Sequence, residues 1–154
     1  MVTSNLLWNG SLVARITPCL ENGKTAYVDF LVDREVGWGS TEYIVLHSKC
    51  PLPPEYAYFL ARSDIFRTHA IQNMTGTSGR QRVPVECFNS FLVAMPPAPI
   101  TAQFGHLAMG TMAAMKGHDE ESKTLGALRD TLLPKLLSGE LRLQDAEREL
   151  EAAL

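Results

Sequence analysis

ITAQFGHLAMGTMAAMKGHDEESKTLGALRDTLLPKLL, residues 100–137, decides the architecture. Phe104, Leu107, Thr111, Met115, His118, Ser122, Leu125, Leu128, Leu132 and Leu136 follow one another at steps of three or four, the period of one helix face. The phase does not slip at Gly117. The spacing therefore predicts one continuous helix over about 100–137 rather than a hairpin turned at Gly117-His118-Asp119. At about 1.5 Å per residue, such a helix extends roughly 55 Å. Gly139 supplies the stop, and Pro134 is expected to kink the last turns. A stripe of this length is more than the preceding part of the chain can cover, so it is expected to need a partner helix. Residues 144–153 read as a short charged helical tail.

Immediately upstream, Met95-Pro96-Pro97-Ala98-Pro99 reads as a stiff junction. It divides the chain into residues 1–97 and 98–154. The first part changes period. Ser11–Ile16 alternates imperfectly and stops at Pro18. Glu21-Asn22-Gly23-Lys24 is a turn. Thr25–Val32 is rich in β-formers and is broken by Gly37-Trp38-Gly39-Ser40, and Glu42–His47 forms a third strand. Pro51, Pro53 and Pro54 introduce a helix expected from Glu55 to about Ala70, with Tyr56, Phe59, Leu60, Ile65 and Phe66 mostly on one side. A polar loop with two glycines follows, then Val83-Pro84 and a short apolar stretch to Met95. The fold class is expected to be α+β: a small mixed, β-rich domain followed by a long C-terminal helix that takes a partner helix in a coiled coil.

The 154 residues are 45% hydrophobic and 20% charged, which is globular composition and not that of a disordered chain. No apolar run reaches the roughly 18 residues of a membrane span, and no secretory signal is visible at the start. Three cysteines, Cys19, Cys50 and Cys87, are too few and too far apart for a disulfide framework or a zinc site, so a reducing cytoplasm is expected. The net charge of -3 argues against a non-specific nucleic-acid coat. That average hides a division. Residues 1–97 are balanced, and 98–154 carry the whole excess of acid. Between Arg62 and Val85 four arginines face only Asp64. A polyanion contact therefore belongs to the first part of the chain.

Catalytic signatures are missing. There is no phosphate-cradling P-loop, no G-x-S-x-G elbow and no H-E-x-x-H. His47 and Cys50 are close in sequence, but two further metal ligands at suitable spacing are absent. Met95 stands where an N-P-P-Y-like loop would need an amide or carboxylate, so that segment reads as linker. One segment carries a usable signal. Thr77, Ser78, Arg80, Gln81 and Arg82 place hydroxyls, an amide and two guanidiniums in one short loop between glycines. Glycines let backbone N–H groups approach a phosphate, Arg binds phosphate or guanine bidentately, and Gln matches adenine. The same composition also describes a solvated turn. Lys24, and Arg34 near Trp38, are weaker examples of the same two readings.

Leu12-Val13-Ala14-Arg15-Ile16-Thr17-Pro18 with Gly23-Lys24, then Gly39-Ser40-Thr41-Glu42-Tyr43, then Thr75-Gly76-Thr77-Ser78-Gly79-Arg80-Gln81-Arg82-Val83-Pro84, resembles the second half of a target recognition domain. The family is the DNA specificity subunit of type I restriction-modification systems. Leu128-Arg129-Asp130-Thr131-Leu132-Leu133-Pro134-Lys135-Leu136-Leu137-Ser138-Gly139-Glu140-Leu141 is close to the end of that family's conserved helical region and is the most specific element. The resemblance runs from about residue 11 to 143. It implies two recognition domains per full subunit, each reading half of a bipartite double-stranded DNA site. It also implies an antiparallel helix pair that acts as a spacer and docks methyltransferase subunits. Those subunits hold S-adenosylmethionine and the catalysis, so this chain is expected to be no enzyme and to carry no cofactor or metal of its own. One recognition domain is expected here, without its N-terminal segment. DNA contact falls to Lys24, Thr77, Ser78, Arg80, Gln81 and Arg82. The partner helix, including that of a second copy, falls to Phe104, Leu107, Met115, Leu125, Leu128, Leu132 and Leu136.

Overall fold

β3 (Ser11–Ala14) is one of the two inner strands of the four-stranded sheet in the N-terminal unit. It pairs antiparallel with β6 (Tyr43–Leu46), Val13 opposite Ile44, and on its other side with β4 (Thr25–Tyr27), Val13 opposite Thr25. β1 (Val2–Thr3) completes the sheet by pairing with β6, in the order β1-β6-β3-β4. A separate ladder joins β2 (Asn5–Leu7) to β5 (Val36–Trp38). In this computed structural model, residues 2–3, 5–7, 9–31, 35–142, 147–148 and 151 are described, those before residue 8 by backbone pairing alone. Arg34 and most of the tail expected at 144–153 lie outside them.

The sequence reading of this half needs three corrections. The strand expected over Thr25–Val32 ends at Tyr27. Gly37-Trp38, read as a breaker, is instead part of β5, because Asn5 and Leu6 stand opposite Trp38 and Gly37 and supply the ladder. The single helix expected from Glu55 to Ala70 is two: α1 (Glu55–Arg62) and α2 (Asp64–Gln72). Ser63 is the reason. Its backbone is extended, at ψ 146°, its Oγ accepts from the Phe66 N–H at 3.3 Å, and it donates to the Leu60 carbonyl at 2.7 Å. One serine thus ends one helix and caps the next. The start of α1 is capped from outside the helix, where Ser48 Oγ accepts from the Ala57 N–H at 3.0 Å.

Val13, Leu20, Ile44, Ala61, Phe66, Ala70 and Val83 form the core between the sheet and α1–α2. The stretch after Val83-Pro84 forms a 3₁₀ helix, Val85–Ser90, which lays Phe88 parallel on Phe66 at 4.7 Å. Phe91 meets the same ring edge-on at 5.4 Å, and His69 Nε2 lies 3.0 Å from the Cys87 carbonyl. These contacts cover the face of α2 that burial of Phe66 and Ala70 requires.

α3 runs unbroken from Ala98 to Ser138, 41 residues with Pro134 inside it. The continuous helix read from the apolar phase is therefore present, and Gly117 does not turn it. The chain divides into two units, Met1–Met109 and Gly110–Leu154. Within the first, Phe104 packs edge-on against Tyr56 and Phe59, both at 5.8 Å, and Thr101 and Ala108 are buried. Within the second, Leu132 is buried and Leu128 and Leu136 are half-buried. Gly139, at φ +77°, ends the helix, with its N–H donating to the Leu136 carbonyl.

Candidate nucleic-acid interface

Thr75 and Arg82 close the glycine-containing loop by exchanging backbone bonds, Thr75 N–H to the Arg82 carbonyl at 2.9 Å and the reverse at 2.8 Å. Inside it, the Arg80 N–H donates to the Thr77 carbonyl at 3.0 Å. Gly76 at φ +122° makes the closure possible: a Cβ there would stand 3.0 Å from the Arg80 carbonyl oxygen. Thr77, Ser78 and Arg80 are exposed at the tip, and Gln81 is half-buried at the base.

The base of the loop is tied to the sheet. The Thr17 N–H donates to the Gln81 carbonyl at 3.0 Å, and the Gln81 N–H returns a bond to Thr17 Oγ1 at 3.1 Å. The Val83 N–H donates to the Arg15 carbonyl, and Arg15 Nε and Nη2 reach back to the Val83 carbonyl at 3.2 and 3.0 Å. Arg82 forms a two-pronged pair with Glu42, its Nε 2.9 Å from one carboxylate oxygen and its Nη2 on the other. The hydrogen bonds from Arg82, with its charge and that of Arg15, hold the Glu42 carboxyl below its usual range. Sequence reasoning missed Arg15 and Glu42 as anchors, because partners 40 and 68 positions away leave no local spacing signal.

Thr17 leads directly into the turn bearing Lys24, so the structure sets this turn beside the loop. Buried Leu20 pins the turn from below, and the Lys24 N–H donates to the Cys19 carbonyl at 3.0 Å. Gly23, at φ +67°, lies so close to Arg67 that a Cβ would be 3.2 Å from its Nη1. Arg67 is a third residue that sequence reasoning missed. It pairs with Asp64 at 2.7 Å. Lys24 also borders an open groove of about 370 Å³ with Leu12, Ala14, Thr25, Ala26 and Tyr43. Among the described residues neither Lys24 nor Arg80 pairs with a carboxylate.

The other candidates hold no comparable chemistry. His47 and Cys50 line an apolar groove of about 440 Å³ with Leu52, Tyr56, Leu60 and Met95. Among the described residues no three His, Cys, Asp or Glu side chains are placed to hold a metal. Burial pushes the Cys87 thiol above its ordinary range, the opposite of an activated nucleophile. No helix of the described residues is long and apolar enough to cross a membrane.

An arginine-bearing loop on a small sheet is followed along the chain by a long striped helix. No family model matches the chain. The type I restriction enzyme EcoEI specificity subunit of Escherichia coli is 29% identical over 143 residues, which is 90% of this chain and 23% of that protein. In sequence the chain is similar to a type I restriction specificity subunit. A second such relative, the EcoAI specificity subunit of Escherichia coli, is 34% identical over 94 residues, 58% of this chain and 15% of that protein. The chain thus spans less than a quarter of the specificity subunits it matches. Both relatives are named as specificity components of a restriction enzyme, and the similarity to the first takes in loop, junction and helix together.

Proposed function

We propose that this chain is a non-catalytic DNA-recognition piece of a type I restriction-modification system. Residues 1–97 act as a partial target recognition domain and contact half of a bipartite duplex site. Residues 98–154 form the helical spacer that docks methyltransferase subunits in the cytoplasm. The observation that carries this reading is similarity to a specificity subunit over 90% of the chain. The exposed loop of Thr77, Ser78 and Arg80, with Gln81, Arg82 and the neighbouring Lys24, supports the placement of DNA on the first unit. The acidic excess of residues 98–154 supports a protein partner for the helix, since a surface of that sign repels a polyanion.

The test is a salt titration of duplex affinity by fluorescence anisotropy, run beside a pull-down with type I modification subunits. Affinity falling linearly on a log–log plot with salt, together with capture of the modification subunit, is the expected result. Capture without salt-dependent duplex affinity would replace the DNA part with a helix-mediated interaction module. Failure of both would overturn the proposal.

A further inference from the structure

We infer that Arg82 is a positioning residue, and that Arg80 is the cation through which the loop meets an anionic backbone. The two arginines lie two positions apart in one loop and look equivalent in the sequence. Their surroundings differ. Both used prongs of the Arg82 guanidinium, Nε and Nη2, already hold the two oxygens of one carboxylate. That is the geometry with which arginine would take a phosphate. A phosphate displacing Glu42 would leave a carboxylate unpaired beside an incoming anion. Glu42 is itself held in place: its carbonyl accepts from the Arg15 N–H at 3.0 Å, and its N–H donates to Ser40 Oγ at 3.2 Å. Arg15 also grips the Val83 carbonyl, the next residue along from Arg82. Arg82 is therefore fixed by its side chain and by the backbone on either side of it.

Arg80 has the complementary character. It is exposed at the tip, and among the described residues it pairs with no carboxylate. Its place is set by the loop, through its N–H on Thr77 and its carbonyl packed under Gly76. Opening the Arg82–Glu42 pair loosens the closure at Thr75–Arg82 and so displaces Arg80 without removing a phosphate contact.

The second arm of the test rests on the proposed duplex-binding reading, and the first does not. In the full chain, amide hydrogen exchange at Thr75, Gln81 and Arg82 is compared for wild type, Arg80→Ala, Arg82→Ala, Arg82→Lys and Glu42→Gln. Each is then titrated with salt against a fluorescein-labelled duplex. Arg82→Ala, Arg82→Lys and Glu42→Gln are expected to exchange several-fold faster at these amides. They should weaken duplex binding by similar factors with the salt slope unchanged, Lys failing because it lacks the planar fork. Arg80→Ala is expected to leave exchange alone and to reduce the slope by about 0.9, the value of one lost phosphate contact. Unchanged exchange in the Arg82 and Glu42 variants would overturn the inference, as would a slope lowered by Arg82→Ala or tighter binding by Glu42→Gln. If wild type shows no salt-dependent affinity, the DNA reading fails while the exchange arm still decides the role of Arg82.

Discussion

Glu42 carries the clearest chemistry in the first unit. Its carboxyl is held below the ordinary range, first by the hydrogen bonds from Arg82, so the ionised form belongs to the folded loop. A carboxyl with a lowered folded pKa contributes stability above its unfolded value, about 4.3, and loses that contribution as pH falls through the folded value. Loop order, read as exchange protection of the Thr75 and Arg82 amides, should therefore persist from neutral pH to about pH 5 and fall below the ordinary carboxylate range. Glu42→Gln should remove that acid-side step. A step of equal size in the variant would assign the transition to another group. At this scale the sequence was partly legible. The residue types in Thr77–Arg82 marked the loop, because glycine, hydroxyl and guanidinium chemistry is local. The distinction between Arg80 and Arg82 was not, because it is set by a glutamate forty positions away.

Among the elements, the legible ones were those whose signal is a long period. The stripe from Phe104 to Leu136 specified α3 without help from the rest of the chain, and the imperfect alternation from Ser11 and the run of β-formers at Tyr43–Leu46 marked two strands. The short elements depended on partners. β5 exists because β2 stands opposite it, and Gly37 between the β-formers Val36 and Trp38 made so short a stretch read as a breaker. The division between α1 and α2 was written in the sequence as Ser63-Asp64, a cap signature overlooked inside an apolar period. Ser63→Ala is expected to lower stability by about 1 kcal/mol in denaturant unfolding, by removing the cap of α2. An unchanged midpoint would show that the break comes from packing of Phe66 against Phe88 and Phe91 instead.

For the whole chain, the seam of α3 has a distinct profile. Phe104 is half-buried against Tyr56 and Phe59 within the first unit while Leu107 is 74% exposed, and Leu132 is buried within the second. Between them Met115 is 46% and Leu125 48% exposed. The helix therefore bears apolar residues on its middle turns, as a surface that another helix completes would. A lone helix of this length with such residues in water gains by pairing. Sedimentation velocity of the full chain at micromolar concentration, alone and mixed with a type I modification subunit, tests this most directly. Self-association, or a faster-moving complex with the modification subunit, is the predicted result. A clean monomer in both samples, with α3 fully helical by circular dichroism, would contradict it.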